Sequence, residues 1–396
     1  MSDVKPLDEK IGLCLSGGGF RAALFHIGTL AALAERGLLH RVEVLSTVSG
    51  GSIIGAYFYL KVKQLLEGRR PGCPPPLPEH YLDMVKEIES DFLVAVQKNI
   101  RMRLFLNPYA TARMLLEEEY SRSDRFSELL DDYFYDGLAL TSGLRLKDIH
   151  ITPLTADKYL DNGKFSAHTH NRLIGKEDCK IPILTINATC LNTGHPFHFT
   201  GSWVGEPARQ YDLEQNSNFV LPQLRFDGHY NDGSGRKVED WQLEKMCTLT
   251  LADAVAASAA VPGIFTPLPI HNLYRNGRGD EIVVELSDGG VFDNQGLDAL
   301  LVAQCTHVII SDACGQLEDE LLLATDPVHT VQRANYVMME RIRGHNYFDL
   351  RFRQDIYHEV VPHSSHPAFP LNFCFIRISA FMHLREEAAN TVDMPA

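Results

Sequence analysis

The chain has 396 residues, 45% of them apolar and 22% charged, enough to bury one large α/β core or two domains and unlike a disordered chain. Its formal net charge of −14 argues against a nucleic-acid partner, which requires a concentrated basic surface. No run of about 18 uncharged apolar residues occurs and residues 1–10 lack an apolar core, so the expectation is a cytoplasmic protein without a membrane span. The eight cysteines form no C-x-x-C pair and read as buried free thiols.

Residues 11–65 read as a β-α-β-α unit: strand over 11–15, glycine turn, helix over 22–36, strand over 42–48, turn, helix over 51–65. This predicts a parallel sheet under a helical layer. The Pro-rich stretch 68–78 breaks regular structure, and residues 79–140 carry helical apolar spacing with many charges, as a helical insertion would. Within it, residues 98–106 mix cations with large apolar side chains. That pattern suits an interfacial segment, and equally a helix with a solvated basic edge. Strand character returns over 181–191 and 196–200, and the Gly/Asn/Asp-rich tract 201–240 reads as exposed loop. A short helix over 249–258 is stopped by Pro262-Gly263, and a strand over 281–286 ends at Ser287-Asp288-Gly289-Gly290. A helix over 296–304, a strand over 307–311, an amphipathic helix near 328–343, a late strand over 373–378 and an acidic tail complete the chain.

Three turns in this pattern carry chemistry. Ser16-Gly17-Gly18-Gly19-Phe20-Arg21 lies between a strand and a helix, where backbone N–H groups converge on an anion. A Walker A loop is excluded because no Gly-Lys-Ser/Thr follows at the required spacing. Gly17-x-Gly19-x-x-Ala22 does fit the relaxed dinucleotide fingerprint, which keeps a nucleotide-binding protein or oxidoreductase as an alternative. The second strand, however, ends in Val48-Ser49 where that fingerprint calls for a carboxylate.

Thr47-Val48-Ser49-Gly50-Gly51 places a serine on a strand-to-helix turn, where its hydroxyl projects outward and the Gly50 and Gly51 N–H groups favour developing negative charge. Ser52 is the rival nucleophile, one turn further into the helix and better placed to bond backbone. Asp288, at a strand end before two glycines, is a carboxylate that can be aimed at a neighbouring strand end. Taken singly, the glycine triplet is a packing turn, Ser49 a helix N-cap and Asp288-Gly-Gly a turn. Together they place N–H donors, hydroxyl and carboxylate at the carboxyl ends of parallel strands, an arrangement for acyl transfer. Ser49 attacks an ester carbonyl, Gly17, Gly18, Gly19 and Gly50 hold the oxyanion, and Asp288 takes and returns the proton. A lipid-binding scaffold would need neither nucleophile nor base. A histidine base would come from His26, His195 or His198, none of which lies on a comparable strand-end turn. His195-x-x-His198 lacks a partnering carboxylate or thiolate cluster, so no metal is expected.

These residues resemble the patatin-like phospholipase family. The Gly-Gly-Gly-x-Arg signature matches Gly17, Gly18, Gly19 and Arg21; the G-x-S-x-G elbow matches 47–51; the Asp-Gly-Gly/Ala motif matches 288–290. The stretch Ala257-Ser258-Ala259-Ala260-Val261-Pro262 is similar to the segment that precedes the dyad aspartate. The likeness covers residues 11–65 and 180–312, and departs at Thr47, where the family pattern has glycine. It implies a three-layer α/β/α patatin-like fold with a mainly parallel sheet and a helical insertion, catalytic residues Ser49 and Asp288, and Arg21 in support of the oxyanion loop or a lipid phosphate. It further implies hydrolysis of phospholipid or lysophospholipid acyl esters, or acyl transfer on the same fold, with no cofactor and with peripheral contact to a membrane. The expected organisation is a catalytic domain over 8–320, interrupted by a cap-like insertion at about 68–178 over the serine, with 321–396 packed on the same domain.

Overall fold

Strand β1 (Ile11–Leu15) is an unbroken apolar run, buried at all five positions, as the centre of a sheet covered on both faces requires. A computed structural model describes residues 9–69, 77–98, 103–104, 120–138, 142–161, 164–175, 178–207, 221–314, 321–322, 326–360 and 372–377. The first half of the chain supplies α1 (Gly19–Glu35), β2 (Val42–Val48), α2 (Gly50–Leu66), α3 (His80–Gln97) and α4 (Arg122–Leu130). After the small hairpin of β3 (Leu160–Asp161) and β4 (Lys164–Phe165) come α5 (Ala167–Leu173), β5 (Ile183–Cys190), β6 (Pro196–Phe199), β7 (Trp203–Gly205) and β8 (Leu224–Arg225). The last part holds α6 (Asp240–Met246), α7 (Leu251–Ser258), β9 (Leu268–Arg275), β10 (Glu281–Asp288), α8 (Gly290–Asp293), α9 (Leu297–Val302), β11 (His307–Asp312), α10 (Pro327–Val360) and β12 (Asn372–Arg377).

The main sheet runs β12-β11-β1-β2-β5-β6-β7-β8, with β10 also on β5 and β9 on β10. Its pairings are parallel from β12 to β5 and antiparallel beyond. The parallel part is therefore one half of a mixed sheet. Side chains alternate between faces along a strand, so Leu13 and Leu15 join one core with Leu30, Ile53 and Ile54, while Cys14 joins another with Leu297, Leu300 and Leu350. Helices α1 and α2 thus cover one face, α9 and α10 the other, which makes the three-layer α/β/α sandwich. Helix α2 is apolar nearly all round and buried along its length, the pattern of a helix inside a core.

One feature of this sheet sets up the site. Strand β2 runs parallel to β5 and ends with Val48 beside Asn187. Strand β10 runs antiparallel to β5 and ends with Asp288 beside Ala188, the next position along. Two strands thus approach along β5 from opposite directions and stop end to end. Asp288 is not at the carboxyl end of a parallel strand, as the motif order suggested; reversing β10 brings it to Ser49 instead.

The described part of the insertion packs against the main core. Met84, Ile88 and Phe92 of α3 belong to the same core as α1 and α2, and Phe92 packs on Phe134, which stacks on Phe20 beside the glycine turn. Helix α4 is fixed by the Ser121 capping box and reaches the loop after α7, where the Ser123 hydroxyl donates to the Thr266 carbonyl at 2.6 Å. Of residues 98–106, Lys98, Arg103 and Leu104 lie within the described part. Both cations lie over the Tyr133 ring and Leu104 is buried, so these three pack on the protein body.

Helix α10 continues well past Arg343, the end expected from the sequence, and runs through Gly344. A glycine there costs about 1 kcal/mol, and anchors on both sides offset it. Arg343 lies 3.8 Å from buried Asp312, the Asn346 amide donates to Asp293 and Gln295, and Leu350 is fully buried. Among the described cysteines there is no disulfide. The exposed tail expected after 378 lies outside the described residues.

Candidate active site

Ser49 occupies the junction of β2 and α2 with φ 51 and ψ −118, a conformation that costs a non-glycine residue about 1–3 kcal/mol and persists only where its surroundings impose it. The surroundings are on both sides. A side chain at position 50 would overlap the Gly19 backbone, and one at 17 would meet Ser49 Cβ at 3.3 Å. The glycine loop and the elbow are therefore pressed backbone to backbone. Gly18 and Gly19 have φ of 141 and 65, which aims the start of α1 back toward the elbow and is open to glycine at little steric cost.

Gly17 departs from expectation. Its N–H donates to the Asn294 carbonyl at 3.0 Å, so it is committed within the fold. Among the described residues, the N–H groups of Gly18, Gly19 and Gly50 have no hydrogen-bond partner. All three adjoin a helix start, where unpaired donors and the dipole favour an anion. Arg21 is exposed and, among the described residues, makes no hydrogen bond or ion pair. It does not brace the glycine loop.

The Asp288 carboxyl is buried, with Oδ1 accepting from the Gly290 N–H at 2.7 Å. Oδ2 is buried without a partner in hydrogen-bond geometry among the described residues. Burial raises its pKa from 3.8 to about 6; the nearby Ser49 hydroxyl and the Gly290 N–H pull it partway back. A buried, half-satisfied carboxyl titrating near neutrality is the form in which an aspartate takes and returns a proton.

A chain of buried hydroxyls supports the elbow. The Ser49 N–H donates to Ser258 Oγ at 2.9 Å, Ser258 and Ser52 hydroxyls are 2.8 Å apart, Ser52 donates to Thr47 at 3.0 Å, and Thr47 donates to the Thr185 carbonyl at 3.3 Å. Ser52 is fully buried in this chain and is not presented as a nucleophile. The Thr47 departure from glycine also becomes intelligible: its methyl group occupies the space left by Gly55, where any Cβ would overlap it. Gly55→Ala is accordingly expected to cost about 1–3 kcal/mol in denaturant unfolding through overpacking. In a Thr47→Ser background the methyl is gone and the next contact is Cβ at 3.3 Å. There the same change is expected to become neutral or stabilising, because alanine favours the helix.

The histidines take other roles. His26 is fully buried, its Nε2–H donating to the Ser16 carbonyl at 2.9 Å, which leaves Nδ1 to accept from the Ser311 hydroxyl at 2.7 Å. Burial lowers its pKa to about 4, so it stays neutral and ties α1 to the ends of β1 and β11. His195 lies 3.2 Å from Glu206, and His198 packs on Trp203. Among the described residues, no group of three or more His, Cys, Asp or Glu side chains is placed to hold a metal ion.

Asn294 is a site residue that none of the three turn motifs includes. Its carbonyl holds Gly17, its side-chain oxygen fills the space beside Gly17 and Gly290, and its amide donates to Cys314 Sγ at 2.9 Å. It joins the glycine loop to the aspartate loop. Asn187 likewise donates to Ser46 Oγ at 2.9 Å and to the Thr47 carbonyl at 2.8 Å. An asparagine inside a strand carries no local signal of either role.

Fold and site together define an α/β protein with a strained serine elbow facing an aspartate across an antiparallel strand end. The chain belongs to the patatin-like phospholipase family, whose model matches residues 13–301. This membership sets aside the nucleotide-binding alternative. No curated protein matches the chain. Similar solved structures include human GIVD cytosolic phospholipase A2 in complex with methyl gamma-linolenyl fluorophosphonate, at 17% identity and TM-score 0.31, covering 50% of this chain and 24% of that one. Human GIVD cytosolic phospholipase A2 also matches, at 15% identity and TM-score 0.35, over 77% of this chain and 45% of that one. VipD from Legionella pneumophila matches at 16% identity and TM-score 0.27, over 94% and 61%. The chain thus spans between about a quarter and three-fifths of these proteins' lengths.

Proposed function

We propose that this protein hydrolyses fatty-acyl esters of phospholipids or lysophospholipids through a Ser49–Asp288 dyad. Family membership supports the lipid substrate class. The observation that carries the mechanism is the end-to-end meeting of β2 and β10 on β5, with a strained serine on one side and a buried carboxyl of raised pKa on the other. In the reaction, Ser49 Oγ attacks the ester carbonyl carbon while its proton passes to Asp288 Oδ2. The Gly18, Gly19 and Gly50 N–H groups hold the oxyanion. Collapse expels the alcohol, which takes the proton from Asp288. Water then attacks the acyl-enzyme, giving its proton to Asp288 and releasing the fatty acid as that proton returns to Ser49. No cofactor takes part.

We read residues 8–320 as the catalytic domain, with 68–178 as an insertion packed into it and 321–396 resting on it, β12 extending its sheet. Among the described residues no helix is long and apolar enough to cross a membrane; a cytoplasmic protein that meets its substrate at a membrane surface is the arrangement we propose. The test is labelling of wild type and Ser49→Ala with a fluorophosphonate, then turnover of a lipid panel presented as micelles and as vesicles. Labelling confined to wild type and mapped to Ser49, with release of free fatty acid, is the expected result; labelling that survives the substitution would overturn the assignment.

The pH profile adds an independent check. Asp288 must be ionised to accept a proton, so kcat/KM on a soluble ester is expected to fall as pH drops through about 6. A limb near 4, the ordinary carboxylate range, would mean that the base is solvated or is another group.

A further inference from the structure

We propose that Ser258 is a positioning residue that sets the separation of nucleophile and base, its hydroxyl holding the Ser49 elbow and its carbonyl holding the aspartate loop. The inference rests on the Ser49–Asp288 reading above and deepens it.

The direction of the hydroxyl chain follows from its end. A carbonyl only accepts, so Thr47 spends its single hydrogen on the Thr185 carbonyl. Ser52 then donates to Thr47, and Ser258 has to donate to Ser52. That leaves a Ser258 lone pair facing the Ser49 N–H at 2.9 Å. Thr47, Ser52 and Ser258 are all fully buried, so bulk water cannot stand in for a missing member. Chains of this kind reinforce one another in a low-dielectric interior, and a gap leaves a buried donor unpaired.

The other side of Ser258 faces the base. Its carbonyl accepts the Gly289 N–H at 3.1 Å, and two residues on, the Ala260 carbonyl accepts the Asp288 N–H at 3.0 Å and the Ser287 hydroxyl at 3.0 Å. Ser258, the last residue of α7, and Ala260 just beyond it therefore touch the backbone of both dyad members. Helix α7 is itself fixed at its start by the Thr250–Asp253 capping box. Thr47, where the family pattern has glycine, is the far anchor of the same device.

The experiment uses the purified full chain and compares wild type, Ser258→Ala, Thr47→Val and Thr47→Ser. Fluorophosphonate labelling rate at Ser49, kcat, KM and the pH profile on a soluble short-chain ester are measured for each. Ser258→Ala is expected to slow labelling and kcat about 10- to 100-fold with KM within about twofold, because a loosened elbow misplaces the nucleophile without removing a substrate contact. Its acidic limb is expected to move to higher pH, since the Ser49 hydroxyl no longer offsets the burial of Asp288. Thr47→Val is expected to move kcat and labelling in the same direction, and Thr47→Ser, which keeps the hydroxyl, to recover most of the loss. Should Ser258→Ala fail to fold, the two Thr47 variants carry the comparison. Labelling by Ser258→Ala at the wild-type rate, or equal rates for Thr47→Val and Thr47→Ser, overturns the proposal. Wild type that labels at a residue other than Ser49 overturns the dyad reading itself, and this inference with it.

Discussion

Ser49→Ala is expected to lower kcat on a lipid ester by about 10³- to 10⁴-fold or more, with little change in stability. The magnitude follows from removing the atom that forms the covalent bond, which leaves the N–H donors and binding alone to promote attack by water. The stability expectation follows from geometry: the Ser49 side chain is not the partner its turn relies on, since the backbone N–H is what Ser258 holds. Alanine at φ 51 keeps the same backbone strain and the same chain of hydroxyls behind it. Paired measurements of acyl-ester turnover and denaturant midpoint check this. Residual turnover above a few per cent would mean that the nucleophile is another residue.

Asp288→Asn is expected to be nearly as damaging to turnover, about 10³-fold, while raising stability at pH 7. The two effects have one cause. Holding an ionised carboxyl where its pKa has risen from 3.8 to about 6 costs the folded state on the order of 3 kcal/mol once both folded and unfolded forms are ionised. The sign is that of a group that binds its proton more tightly when folded. Its burden is absent below the unfolded pKa, grows between about 4 and 6, and is full above 6. The wild type is therefore expected to lose stability relative to Asp288→Asn as pH rises through that window. Asparagine removes the charge and keeps an oxygen for the Gly290 N–H, but has no site for the serine proton. Melting temperatures of both proteins at pH 4, 5, 6 and 7 give the comparison. Parallel curves would mean that Asp288 carries no burden of this kind and that its environment is wetter than its burial indicates.

The parts of this fold that were legible in the sequence are those whose signal is local. The apolar run of β1, the β-branched run of β2 and the long apolar spacing of α1 and α2 name their own secondary structure, and the three turn motifs name the family. What stayed hidden depends on distant partners. The direction of β10 is set by its pairing with β5 and β9, so it escaped a reading that expected strand ends all on one side. The Gly17 N–H, expected to face an oxyanion, is taken by a carbonyl 277 positions later in the chain, at Asn294. The expected helix over 328–343 fell short because the anchors at Asp293 and Asp312 that carry α10 past Gly344 are invisible in the local pattern. That α3 gives one face to the main core was likewise not legible in its charge-rich pattern. Thr47 was legible as a departure from the family pattern, but its explanation required the packing of its methyl group against Gly55 in the next helix.

The meeting of β2 and β10 on β5 has a consequence for how the protein comes into being. Ser49 and Ser258 are 209 residues apart in the chain, and the carboxyl comes later still, so most of the polypeptide must be made before nucleophile and base can touch. Contacts of such separation form late, after the closure of long loops has been compensated by neighbouring packing. A nascent or half-folded chain carries a serine on a turn with nothing to take its proton. On the proposed dyad mechanism such a chain is expected to turn over no acyl ester, and activity to arrive only with the finished sheet.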